Sequence, residues 1–164
     1  MLFDGTNLDN WDKLGDANWT LANGVVMADK GRGFLVSKKT YGDFELRAEF
    51  FVDSVANSGI FIRCEDPKKI GSATGYEVNI FDRRPDPKYG TGAIVRVAPA
   101  SPVLAAGGRW NTYDIIAKGP EFTVTLNDHR TVDGAKDSKH PSGVIAVQYG
   151  GGIVKFRRVE IKPL

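Results

Sequence analysis

One cysteine and two histidines are all that 164 residues offer as soft metal ligands or ready nucleophile–base pairs. Cys64, alone in the chain, excludes an internal disulfide and a zinc–thiolate cluster. No histidine lies near it in sequence to activate it, so it reads as a half-buried structural thiol. His129 and His140 sit among turn residues, beside Asn127-Asp128 and within Lys139-His140-Pro141, and read as loop side chains. A Gly-x-Ser-x-Gly elbow before a helix is missing, which removes the usual serine hydrolase. No apolar run approaches the roughly 20 residues that span a bilayer. A net charge of +2 is too small to argue for nucleic acid or an anionic membrane. Nucleotide-binding glycine patterns are absent too, since Gly150-Gly151-Gly152 reads as a turn. The start, Met1-Leu2-Phe3-Asp4-Gly5, carries no signal-peptide pattern.

Helix periodicity is also missing, and strands fill the space. Nineteen glycines and eight prolines punctuate short segments rich in Val, Ile, Phe, Tyr and Thr. Phe44, Leu46, Ala48 and Phe50 alternate with Glu45, Arg47 and Glu49, the period of a half-buried strand. Phe122, Val124 and Leu126 repeat the pattern, as do Val154 and Phe156. Asn23-Gly24, between Leu21 and Val25, signals a tight hairpin. Trp11 and Trp19 read as core. No repeat or linker divides the chain, so residues 1–164 form one all-β domain.

Two kinds of strand can be separated. Segments 43–52, 121–127 and 153–161 place charged or Thr side chains outward, as on a solvated, convex sheet. Segments 58–63, 75–81, 91–97 and 143–149 are more apolar, and their off-core positions hold isolated polar groups. That predicts a second sheet whose outward, concave face is partly shielded. The expected fold is a two-sheet antiparallel β-sandwich with jelly-roll topology.

The polar groups on the second set define a candidate platform. In Gly75-Tyr76-Glu77-Val78-Asn79-Ile80-Phe81-Asp82, Tyr76, Val78 and Ile80 share one face while Glu77 and Asn79 share the other. Strict alternation in Ser58-Gly59-Ile60-Phe61-Ile62-Arg63 sets Arg63 opposite Ile60 and Ile62. Acid, amide and guanidinium on one surface suit a polar ligand. They equally suit a Glu77–Arg63 ion pair between neighbouring strands. Asp82 reads either as a second acid over the site or as a turn cap. Asn57 is either a ligand contact or a turn residue before Ser58-Gly59. Trp110 is either a stacking platform or a packing residue. Arg96 and Gln148 complete the set. The acid pairs Asp82/Asp86 and Asp128/Asp133 can donate oxygens to calcium, although their spacing matches no defined loop.

The chain also resembles a known family across nearly its whole length. Matching motifs include Leu2-Phe3-Asp4-Gly5-Thr6-Asn7-Leu8-Asp9-Asn10-Trp11, Tyr41-Gly42-Asp43-Phe44-Glu45-Leu46 and Asn57-Ser58-Gly59-Ile60-Phe61-Ile62-Arg63. Gly75-Tyr76-Glu77-Val78-Asn79-Ile80, Thr91-Gly92-Ala93-Ile94, Trp110-Asn111-Thr112-Tyr113 and Gly143-Val144-Ile145-Ala146-Val147-Gln148 follow in order. The pattern is similar to the 3-keto-disaccharide hydrolase family, whose sandwich is like those of concanavalin A-type lectins and glucanases. Two positions depart from it: Asn79 stands where members carry Gln, and Arg96 where many carry an aromatic.

The resemblance implies a carbohydrate substrate oxidised at C3 of the sugar and a periplasmic or secreted setting; calcium apart, no cofactor is expected. It implies Glu77 as base, Arg63 as enolate stabiliser, and Asn79 and Gln148 as hydroxyl-binding amides. Two other readings compete. A non-catalytic carbohydrate-binding module would use the same platform for recognition alone. A retaining glucanase would pair Glu77 with Asp82, which needs a bulge to bring residues five apart onto one face.

Overall fold

The computed structural model describes residues 1–164 and contains twelve strands. They are β1 (Trp11–Gly15), β2 (Thr20–Ala22), β3 (Val25–Ala28), β4 (Gly33–Tyr41), β5 (Phe44–Val52) and β6 (Ser58–Cys64). The second half holds β7 (Tyr76–Ile80), β8 (Arg109–Lys118), β9 (Glu121–Leu126), β10 (His129–Lys136), β11 (Gly143–Tyr149) and β12 (Val154–Pro163). A seven-stranded sheet runs β10-β9-β8-β5-β12-β3-β2, and a five-stranded sheet runs β1-β4-β11-β6-β7. Every pairing is antiparallel. The only helical element is a 3-10 turn at Pro87–Tyr89.

The two strand types sort as their patterns predict. Segments 43–52, 121–127 and 153–161 become β5, β9 and β12 of the larger sheet, whereas 58–63, 75–81 and 143–149 become β6, β7 and β11 of the smaller. Phe44, Leu46, Ala48, Phe50 and Val52 of β5 turn inward with Phe122, Val124 and Leu126 of β9. They meet Ile60, Ile62, Tyr76, Val78 and Ile80 from the smaller sheet, and Trp11 and Trp19 join this core. Strands β6 and β11 are buried on both faces. Their outward side carries a second apolar cluster of Val36, Phe61, Cys64, Val144 and Ala146, packed by Leu14, Phe34 and Ile70. Cys64 is a buried structural thiol, and burial pushes its pKa up to about 12.

Turn chemistry fixes the local register. Asn23 and Gly24 both adopt positive φ, 53° and 78°, as a two-residue hairpin between β2 and β3 demands. Segment 91–97, expected as a strand, instead forms isolated bridges. Val78 pairs with Ile94 and Ile94 with Ala98, so the segment runs beside β7 as an irregular edge. Tyr113 of β8 ties this edge to the opposite sheet. Its buried hydroxyl donates to the Asn79 carbonyl at 2.5 Å and accepts from the Gly92 amide at 2.7 Å.

Arg63 breaks the alternation on which its predicted position relied. Val144 pairs with Cys64 but Ala146 pairs with Phe61, so β6 carries one extra residue. Arg63 absorbs the mismatch at φ 51°, in the left-handed region. The bulge turns its side chain away from the outward face and buries it at 1 % exposure. There the guanidinium donates to the carbonyls of Gly42, Gly119 and His140 and to Asp43 Oδ1, over the Phe122 ring. It bridges the 42–43 turn, the β8–β9 turn and the loop before β11. Burial pulls its pKa down, partly offset by Asp43.

Removing this group strands several buried carbonyls. Arg63→Ala is expected to lower unfolding free energy by about 3 kcal/mol in urea denaturation, while turnover per folded molecule stays within about twofold. A folded, stable but inactive variant would instead return Arg63 to the chemistry.

Candidate functional site

Register alone assembles the outward face of the five-stranded sheet. Val36 pairs with Ala146, Ala146 with Phe61, and Phe61 with Glu77, so one row crosses four strands. In the next row Phe34 pairs with Gln148, and Gly59 pairs with Asn79. Gly59 lies beside Gln148, because a side chain there would come within 3.6 Å of Gln148 Oε1 and press on Phe61 and the Val78 carbonyl. Neighbouring strands are about 4.8 Å apart, so the backbones at Gln148 and Asn79 stand about 10 Å apart across that glycine, and the Gln148 amide leans over it. Phe34 and Phe61 meet edge to face at 5.4 Å on the same outward face.

Glu77 stands half-buried at one end of this surface. Burial raises its carboxyl pKa, and the nearby Arg84 and Arg96 guanidiniums oppose the rise. Arg96 adopts φ 66°, and the adjacent Val95 amide donates to the Glu77 carbonyl at 3.0 Å. Arg84 lies in the turn after β7, its amide bonded to the Phe81 carbonyl. Neither guanidinium forms an internal ion pair or hydrogen bond. The alternative reading of a Glu77–Arg63 ion pair is not met either; Arg63 pairs with Asp43 at 3.1 Å.

The amides divide between support and availability. Asn79 is 1 % exposed, and its Nδ2 donates to the Tyr89 carbonyl at 2.9 Å, which holds the 3-10 turn against β7. Its Oδ1 is buried without a partner, as is Gln148 Oε1. A buried acceptor left unmatched costs free energy. Gln148 and Asn57 line a hollow of about 250 Å³ with Arg32, Phe34 and Tyr149.

Asp82 and Trp110 leave the set. Asp82 is a turn staple: its carboxylate accepts from Thr91 Oγ1 at 2.6 Å, the Ala106 amide at 2.9 Å and the Gly107 amide at 2.8 Å. With those bonds made it cannot serve as the second carboxyl of a retaining pair with Glu77. Trp110 lies on the outward face of the other sheet, paired with Phe51 and covered by the Arg157 guanidinium at 4.1 Å. No three acidic, histidine or cysteine side chains gather into a metal-binding group. His140 lies in the loop before β11, as expected, and is buried there, with Nδ1 at 2.8 Å from Glu65 Oε1.

Glu77, Asn79 and Gln148 thus share one face with Arg96, with Asn57 at its rim; Arg63, Asp82 and Trp110 do not. Arg84 and the Phe34–Phe61 pair escaped the sequence reading. The basic run Arg83-Arg84 directly after the Glu77 strand was the available signal.

The sequence profile described as a 3-keto-alpha-glucoside-1,2-lyase-like domain matches residues 1–162. The chain belongs to that family. Comparison with curated proteins returned no match. Among solved structures, a candidate glycosyl hydrolase from Parabacteroides distasonis ATCC 8503 superposes with TM-score 0.80 at 25 % identity, covering 99 % of this chain and 98 % of that one. A second candidate glycosyl hydrolase from the same organism gives TM-score 0.84 at 20 % identity, over 99 % and 92 %. The carbohydrate-binding module CBM66 from Bacillus subtilis gives 0.74 at 16 %, over 93 % and 95 %. The last two likenesses speak for the fold, a lectin-like sandwich. Family membership and the glycosyl hydrolase neighbours support a carbohydrate-acting, glycosidase-like protein.

The staple role of Asp82 is open to measurement. Asp82→Ala is expected to lower unfolding free energy by about 2 kcal/mol through loss of charged hydrogen bonds. Hydrogen exchange at Ala106 and Gly107 should quicken, since their amides lose the acceptor. Full stability with abolished turnover would restore Asp82 as a catalytic acid.

Proposed function

We propose that this family member cleaves 3-keto-glycosides by elimination across C1 and C2, with Glu77 as the base. The observation that carries this reading is a half-buried carboxylate free of any ion pair, on an outward sheet face beside Phe61 and with the Arg84 and Arg96 guanidiniums in its neighbourhood. A C3 ketone acidifies the C2 proton. Glu77 takes that proton, and the C–H electron pair becomes an enolate spread onto the C3 oxygen. The enolate collapses to restore the ketone and form the C1–C2 double bond while the C1–O bond breaks. The departing oxygen takes the bond pair and a proton, for which the now neutral Glu77 is the proximate source. No water is consumed.

Arg84 and Arg96 replace Arg63 as the source of positive charge for the enolate. Burial helps the base: a carboxylate in a less polar setting is a stronger proton acceptor. Gln148 and Asn57, which line one hollow, are the amides left to orient sugar hydroxyls.

The non-catalytic alternative draws on the likeness to CBM66. Incubation with 3-keto-glucosides and unmodified disaccharides, followed by product analysis, separates the two. Cleavage restricted to keto substrates supports elimination, and binding without cleavage of any sugar supports the module.

Glu77→Gln is expected to lower kcat on a 3-keto-glucoside by about a hundredfold or more. Since the base must be ionised, kcat/KM should fall as pH drops through a Glu77 pKa that lies above the ordinary carboxyl value. Arg84→Gln removes a cation that holds this pKa down, so the acid limb should move to higher pH. An unmoved limb would mean that another group sets the profile.

A further inference from the structure

The surface hollows differ in whether their polar side chains are already engaged. On the seven-stranded sheet, one hollow of about 530 Å³ holds the pairs Arg47–Asp114 and Arg158–Glu160, and another of about 530 Å³ holds Arg157–Glu49. The hollow of about 250 Å³ on the five-stranded face is different. Its polar side chains are those of Arg32, Asn57 and Gln148, and none of them makes a hydrogen bond or ion pair within the chain. Their backbones, by contrast, are tied down. The Arg32 amide donates to Asp16 Oδ1 at 2.8 Å, the Asn57 carbonyl accepts from the Gly150 amide at 2.8 Å, and the Gln148 carbonyl accepts from Ser58 Oγ at 2.6 Å. Three free polar heads on anchored backbone are preorganised for a ligand.

The composition of the hollow indicates which ligand. Phe34 supplies an apolar wall, and the two amides and the guanidinium supply planar donors and acceptors around it. That combination meets a sugar ring, which has C–H faces and a rim of hydroxyls. The volume lies below the roughly 300 Å³ at which drug-sized pockets begin, so the hollow suits one ring.

Position then separates this ring from the one that reacts. Gln148 and Gly150 stand two strands away from Glu77 and one to two rows further along, so the hollow lies about 12 Å from Glu77. A ring bonded directly to the one at Glu77 falls short of it, and the next ring along reaches it. Gly59 lies on that path and raises no side chain there. The open face extends from Glu77 only in this direction, because β7 ends its sheet and residues 94–98 run along its other side.

We infer that the hollow of Arg32, Asn57 and Gln148 is a distal sugar subsite, so that the preferred substrate is a 3-keto-oligosaccharide of at least three rings, with Arg32 as a specificity-determining residue. The departing group is then itself a disaccharide or longer. This rests on the keto-glycoside reading for the reaction, not for occupancy of the hollow.

The test follows turnover with chain length on the wild-type protein. Two series oxidised at C3 of the non-reducing ring serve as probes, cellobiose to cellotetraose and maltose to maltotetraose. In at least one series kcat/KM should rise by about tenfold from disaccharide to trisaccharide and change by less than about twofold beyond it. The series that responds identifies the linkage the face accepts. Arg32→Ala should bring the trisaccharide-to-disaccharide ratio to within about twofold of unity. The Arg32 side chain is exposed and its amide keeps the bond to Asp16, so the variant folds. Lys118→Ala, on the opposite sheet, is the control and should keep the ratio. Equal kcat/KM for di- and trisaccharides in both series overturns the inference and leaves the elimination reading intact, as does a gain that survives Arg32→Ala. If nothing is cleaved, the elimination reading fails, and calorimetric titration with the unoxidised di- and trisaccharides decides the subsite. Trisaccharide binding tighter by about tenfold, and lost in Arg32→Ala, sustains the inference on its own. Equal binding overturns it too.

Discussion

The buried guanidinium of Arg63 is the interaction on which the arrangement of this molecule depends. Its four acceptors come from three turns that are distant in sequence, so a single side chain closes one end of the sandwich. To reach them the backbone inserts one residue into β6 and passes through a left-handed conformation. That bulge lets both Phe61 and Cys64 face outward, three residues apart, while Ile60 and Ile62 stay inside. Phe61 comes to lie beside Glu77. A residue that looks like catalytic machinery instead shapes the surface on which the chemistry is proposed, and it does so from the far side of the strand.

A second constraint is the anchoring of the edge next to β7. Residues 81–108 contain no paired strand, yet they carry Arg84 and Arg96 to the site. Tyr113 holds this segment through Gly92 and the Asn79 carbonyl, Asp82 holds it through two amides and Thr91, and Asn79 holds the Pro87–Tyr89 turn. Irregular backbone positioned by buried hydrogen bonds can present charge with less entropy loss than a free loop. The polar residues in the most suggestive strand therefore split their work. Asn79 and Asp82 build the frame, and Glu77 is left with its carboxylate free.

Burial on both faces distinguishes the smaller sheet. In the larger sheet β5, β8 and β9 follow simple alternation, and the exposed ion pairs on its outer side add little stability. Strands β6 and β11 are covered on their outward side by Phe34, Ile70 and Leu14, which lowers the polarity around any group placed there. Glu77 gains basicity from the same apolar cover that buries Cys64. The nearby Arg84 and Arg96 guanidiniums oppose that rise, so shielding and charge act against each other at one position.

Local pattern determined much of this protein. Alternation in β5, β9 and β12 set the larger sheet, Asn23-Gly24 set its hairpin, and the apolar runs of β6, β7 and β11 set the shielded sheet, because side-chain period and turn dihedrals are properties of neighbouring residues. The same period put Glu77, Asn79 and Gln148 on one outward face. Tertiary structure decided the rest. One inserted residue withdrew Arg63 from that face, amides more than twenty residues away claimed Asp82, and membership of the opposite sheet removed Trp110. Arg84 came to Glu77 through a loop with no periodicity to read. Bulges, long-range hydrogen bonds and irregular segments depend on partners distant in the chain, and no count along the sequence contains them.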